Sequence, residues 1–150
     1  MIELVAASAT HIGPIATRMR ACDVLECTAS GNSPKQALRL GLISSSICIT
    51  AKVDGRPEAM FGLVVTNALC GSGAPWMLGT EAIFEHPREM IRFGPAIIAA
   101  MVDSTPALSN VVSCDNARAI RMLRRWGFTI DEEIIVIRGV QFVNFSMAAR

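Results

Sequence analysis

The chain has 150 residues, of which 51% are apolar and 18% charged, and its formal net charge is +1. That length suits one well-packed domain spanning residues 1–150, and the apolar content excludes a disordered chain. With 14 basic against 13 acidic side chains, no overall field favours nucleic acid or an anionic membrane.

The five cysteines, Cys22, Cys27, Cys48, Cys70 and Cys114, are scattered and never form a Cys-x-x-Cys pair. His11 and His86 are the only histidines, so the sequence assembles no zinc-type cluster and implies no metal. Small buried thiols in a reducing compartment are the expectation for the cysteines. Met1-Ile2-Glu3-Leu4 carries no basic region before an apolar run, and the longest apolar run, near Ala96 to Val102, is far short of a membrane span. A cytoplasmic product is expected.

In chain order, Ile2 to Ala6 reads as a strand, and Thr10 caps a helix whose buried face carries Ile12, Ile15, Ala16 and Met19. Ala21 to Cys27 has no assigned structure. Ser30-Gly31-Asn32-Ser33-Pro34 breaks the chain and opens a second helix, with Ala37, Leu38, Leu40, Gly41 and Leu42 as its buried side. Ser46 to Lys52 alternates apolar and polar, Asp54-Gly55 is a hairpin signal, and Ala59 to Val65 returns as the partner strand. After the loop Cys70 to Pro75, Trp76 to Phe84 reads as a fourth, largely buried strand. Pro87 opens a helix with Met90, Phe93, Ile97 and Met101 at helical spacing, and Gly94-Pro95 in its middle predicts a kink or two abutting helices. Asn110 to Cys114 is a short strand. Asn116 then caps a helix that ends at Gly127, with Ile120, Leu123, Met122 and Trp126 toward the core and Arg118, Arg121 and Arg125 opposite. Thr129 to Ile137 and Val140 to Met147, joined at Arg138-Gly139, form a closing hairpin. The resulting class is α/β (α+β), a mixed, mostly antiparallel sheet flanked by helices in the order β-α-α-β-β-β-α-β-α-β-β.

That order, together with Asn116-x-x-Ala119-Ile120 and Trp126-Gly127-Phe128, resembles the Gcn5-related N-acetyltransferases. The resemblance implies an acyl-CoA site beside this helix, with acetyl-CoA or CoA as cofactor and an amine, small or on a protein, as acceptor. In that superfamily a loop of the form Gln/Arg-x-x-Gly-x-Gly/Ala after the fourth strand cradles the CoA pyrophosphate at a helix start. The corresponding stretch here, Phe84-Glu85-His86-Pro87-Arg88-Glu89-Met90, has no glycine, and Glu85 and Glu89 place negative charge where a diphosphate would sit. Arg88 and Arg92, one turn apart, either contact phosphate in place of the loop or are solvated surface arginines. Many family members carry a proton-donating tyrosine where this chain has Leu123, and this chain has no tyrosine. Glu81 is the best-placed candidate for a general base or, in the bland reading, a solvent-facing strand carboxylate. Asn116 is the helix position that the family sets beside the acyl thiol end.

A narrower similarity rests on Leu25-Glu26-Cys27, Pro57-x-Ala59-Met60-Phe61-Gly62 and Ala74-Pro75-Trp76-Met77-Leu78-Gly79-Thr80. These look like a family of tailed-phage proteins that includes internal virion protein A of short-tailed phages, acetyltransferase-like in fold. The similarity implies a virion-associated or binding role with phage virion proteins as partners, in the host cytoplasm or the virion. The alternative is an active acetyl-CoA-dependent N-acetyltransferase. Trp76 is either core or a pocket wall, and the α-helical arginine face is either solvated or a partner contact.

Overall fold

The computed structural model describes residues Met1 to Ala148. Seven strands, β1 (Ile2–Ala6), β2 (Ile47–Val53), β3 (Arg56–Asn67), β4 (Ser72–Gly79), β5 (Ala107–Ser113), β6 (Thr129–Ile137) and β7 (Val140–Ala148), form one sheet in the order β1-β2-β3-β4-β5-β7-β6. All neighbours are antiparallel except β4 and β5, which are parallel and paired only at Ser72 with Ala107 and Gly73 with Leu108. Beyond those two pairs the strands part.

Side-chain alternation along β3 decides which helices cover which face. Met60 points to one side and meets Ile12 and Ile15 of α1 (Ile12–Ala16) and Leu38 of α3 (Pro34–Ser44). Phe61 and Leu63 point to the other, where they join Met90, Ile98 and Met101 of α4 (Pro87–Ser104) and Met122 of α5 (Ala117–Arg125). A further helix, α2 (Ala21–Ala29), fills the stretch left unassigned by sequence and packs against α3 and the β5 and β7 strands. Three helices therefore separate β1 from β2 where periodicity indicated two.

The ends of α5 match expectation. The Asn116 side chain accepts from the Ala119 amide at 3.4 Å, and Gly127, at φ 100°, lets its own N–H reach Arg124 O while Phe128 N–H reaches Leu123 O, each at 3.0 Å. This is a Schellman stop. Both two-residue hairpins are type I′, with φ of 50° and 83° at Asp54-Gly55 and 49° and 80° at Arg138-Gly139.

Three expectations need correction. The fourth strand is Ser72–Gly79, not Trp76 to Phe84, because Glu81–Glu85 winds into a 3-10 helix that buries Ile83. A short apolar run does not distinguish a strand from a helical turn by periodicity alone. The helix α4 runs through Pro95 as one element, so of the two alternatives that of two abutting helices is excluded. Of the cysteines only Cys27 is fully buried, and Cys70 is exposed, with no disulfide among the described residues. No described helix is long and apolar enough to cross a membrane.

Buried Glu58 ties the strand ends together. It accepts from Arg18 Nη1 at 2.8 and 2.9 Å, from Arg56 Nε at 2.7 Å and from the Thr80 hydroxyl. Burial works against its charge, but the bonds from Arg18, Thr80 and Arg56 outweigh burial and hold its pKa below the ordinary carboxylate value. Helices α4 and α5 dock through Trp126, whose Nε1 donates to Met90 O at 3.2 Å while its ring lies against Gly94. A Cβ at residue 94 would sit inside the indole's contact distance. Gly94→Ala is expected to lower stability by about 1–3 kcal/mol through overpacking, read from urea denaturation, whereas an unchanged midpoint would mean that the two helices separate at no cost.

Candidate functional site

Where β4 and β5 part, each strand exposes backbone groups that a neighbour would otherwise bond. Two carboxylates from α2 take over that role. Asp23 and Glu26 stand three residues apart and so share one face of the helix. Asp23 Oδ2 accepts from the Gly79 amide at the end of β4 at 2.9 Å, and Glu26 Oε1 accepts from the Ser113 amide at the end of β5 at 2.8 Å. Lower in the fork, Asn110 Nδ2 donates to Pro75 O at 2.9 Å and bridges the two strands.

Arg20 lies at the centre of this cluster, with only 5% of its side chain exposed. Its Nη1 donates to Asp23 Oδ1 at 3.3 Å and its Nη2 to Asn116 Oδ1 at 3.1 Å, while its guanidinium carbon is 4.1 Å from the centroid of the Phe84 ring. Its Nε makes no hydrogen bond and lies 3.6 Å from Glu81 Oε1. The cluster opens into a cavity of about 510 Å³ that passes between the parted strands. The walls are mainly apolar, with Trp76, Phe61, Phe93, Ile97 and Phe142 among them.

Burial pushes the Asp23 carboxyl up to about 7, against the Gly79 N–H and Arg20, which pull it down; Glu26 and Glu81 add to the rise. Burial likewise raises Glu26, against the Ser113 amide, Asn116 and Arg20. A carboxyl group able to hold or release a proton near neutral pH therefore faces the cavity. Sequence reading missed Arg20, Asp23 and Glu26. The only available signal was the i, i+3 carboxylate spacing in a segment with no strong apolar period.

The residues singled out from sequence separate into three places. Asn116 belongs to the cluster, where it both caps α5 and orients Arg20. Leu123 lines the cavity and packs into the core with Ile120 and Trp126, offering no proton. Glu81 begins the 3-10 helix rather than lying in a strand; it is 62% exposed and pairs with Arg118 Nη1 at 3.3 Å. Arg88 and Arg92 are exposed on α4, away from the cavity. A second groove, of about 640 Å³, sets Pro87 and Ile91 of α4 against Arg118, Arg121, Arg124 and Arg125 of α5. Among the described residues no group of side chains has the makings of a metal site.

The start of α4 differs from the glycine loop that the resemblance implies. Pro87 has no N–H, the Met90 N–H is already bonded to His86 O at 3.1 Å, and no glycine occurs between Gly79 and Gly94. Glu89, expected to oppose a phosphate, is turned instead to the edge of the sheet. Its Oε2 accepts from the Ile2 N–H at 2.5 Å, and its Oε1 lies 3.5 Å from His86 Nδ1 and 3.9 Å from the terminal amine.

Because the folded Asp23 pKa of about 7 stands above the ordinary 3.8, Asp23 keeps its proton in the folded protein where the unfolded chain has lost it. Its contribution to stability is complete below the unfolded value and is lost as the pH rises through about 7. Urea denaturation should therefore show Asp23→Asn gaining about 2–3 kcal/mol relative to the parent between about pH 5 and pH 8, at ~1.4 kcal/mol per pKa unit. A constant difference between the two proteins across that range would place Asp23 as an ordinary ionised carboxylate.

No protein-family model and no curated protein matches the sequence. Solved structures do match it in shape. Ard1 from Thermoplasma volcanium superimposes with a TM-score of 0.73 at 11% identity, covering 99% of this chain and 98% of that one. Aminoglycoside acetyltransferase AAC(6')-Ib in complex with coenzyme A gives 0.69 at 12% identity, over 99% and 95%. A Bacillus subtilis acetyltransferase in complex with CoA gives 0.65 at 12% identity, over 99% and 98%. The chain has the fold of the Gcn5-related N-acetyltransferases: a seven-stranded, mostly antiparallel mixed sheet with helices on both faces and a fork between its parallel strands.

Proposed function

We propose that this is a phage or prophage protein that keeps the acetyltransferase fold with a degenerate acyl-CoA site and uses it as a binding module, in virion assembly, ejection or a related association. The observation that carries this reading is the start of α4. Pro87 brings no N–H and no glycine lies between Gly79 and Gly94, so the family's glycine loop for a diphosphate is missing, and Leu123 stands where the family presents its acid. The phage-like stretch Ala74 to Thr80 supports it as well. Trp76, the centre of that stretch, donates from Nε1 to Ser45 Oγ at 2.8 Å and packs onto Gly41 of α3, so it serves both as core and as a wall of the cavity. The places of action that follow are the host cytoplasm and the virion, and the partners are virion proteins.

One observation favours a second reading, an acetyl-CoA-dependent N-acetyltransferase acting on an amine. Asp23, rather than the exposed and ion-paired Glu81, is the carboxyl group positioned at the fork to take a proton from an amine held in the cavity. The CoA-bound neighbours support CoA or acetyl-CoA as the cofactor in that case. Fold alone does not decide between the two.

Titration calorimetry and thermal-shift series with CoA and acetyl-CoA separate them, since a ligand that binds only the folded state raises its melting temperature. The binding-module reading expects no saturable heat and no shift. Micromolar binding of either ligand would overturn it.

A further inference from the structure

The sheet ends in two edge strands, β1 and β6, and the structure protects them differently. On β1, five residues long, Glu89 takes the outward Ile2 N–H. The β6 strand has nine residues, and Ile134, Ile135 and Val136 are 53%, 39% and 62% exposed. Neither proline nor lysine interrupts Ile134 to Ile137. Edges of this kind are ordinarily blunted by such residues.

The type I′ turn at Arg138-Gly139 fixes which backbone groups face outward. Ile137 and Val140, paired across it, exchange hydrogen bonds with each other, so alternation turns the Ile135 backbone toward β7. The N–H and C=O groups of Ile134 and Val136 then point away from the sheet, at an edge where no described strand meets them. Asp131, Glu132 and Glu133 lie in the register shift between Ile130 and Ile134 and put acid at one end of this edge; Arg138 puts base at the other.

We propose that β6 pairs antiparallel with β6 of a second copy about a two-fold axis at Ile135, joining the two sheets edge to edge. In that register Ile134 of each copy stands opposite Val136 of the other, so the two outward-facing residues exchange their hydrogen bonds. Ile135 meets its counterpart, and the acidic stretch Asp131 to Glu133 of each copy comes beside the Arg138 turn of the other. Charge complementarity selects a second copy as the occupant: read in opposite directions, the strand matches acid with base at both ends and apolar with apolar in the middle. A register one residue away would set an outward-facing backbone against an inward-facing one and form no ladder. Arg138 is exposed, its guanidinium resting over Gly31, and so is available for this pairing.

Sedimentation equilibrium and light scattering at sub-millimolar concentration should give twice the 16.1 kDa chain mass. Val136→Pro removes an N–H that only the second copy uses and should raise the dissociation constant about tenfold or more, with far-UV circular dichroism unchanged. Glu132→Arg should weaken the dimer, and Glu132→Arg combined with Arg138→Glu should restore it. If Val136→Pro fails to fold, this charge exchange decides. A chain that stays monomeric at every concentration, a dimer indifferent to Val136→Pro, or a double exchange as weak as the single one overturns the proposal.

Discussion

The divergence of β4 and β5 after two register pairs is the constraint on which the rest of the molecule depends. Parallel strands that part inside a protein leave amide and carbonyl groups without partners, and each must be satisfied or lose free energy. Here the amides of Gly79 and Ser113 are met by Asp23 and Glu26, and one buried guanidinium, Arg20, links Asp23 to the Asn116 cap of α5. The helix α2 is thus bound to the fork by charge-assisted bonds rather than by a wide apolar face, which accounts for its weak sequence signal.

The same arrangement creates the chemistry of the site. Carboxylates placed where water is scarce resist ionisation, and a single arginine does not fully offset that cost for two of them. Glu58 is the contrasting case within one chain. Three donors converge on it and outweigh the cost of burial, so its pKa lies below the ordinary carboxylate value. The two sites differ both in desolvation, which leads at Asp23 and Glu26, and in the donors that converge on Glu58.

Much of the architecture was legible in the residues. The Asn116 cap, the Gly127 stop and the Asp54-Gly55 and Arg138-Gly139 turns are local devices, and each appears where its residue types put it. The candidate site was legible only in part. Asn116 and Leu123 were found because the α5 motif flags them, whereas Arg20, Asp23 and Glu26 were not, since their partners lie on strands far away in sequence. What Glu81 and Glu89 meet in the fold was not legible for the same reason: a carboxylate's partner depends on which group folds up against it, here Arg118 for one and the Ile2 amide for the other.

By itself the sequence determined most of the elements and their order, α2 and the 3-10 turn after β4 excepted, because caps, turns and apolar periods act over a few residues and need no distant partner. It also determined that no glycine lies between Thr80 and Phe93 and that Pro87 brings no N–H to the first turn of α4. Only the tertiary structure decided that α2 closes the fork, that Glu89 guards one sheet edge while β6 stays open, and that Asp23 holds its proton near neutral pH. Each of these is a contact between residues remote in the chain, set by where the sheet brings them together.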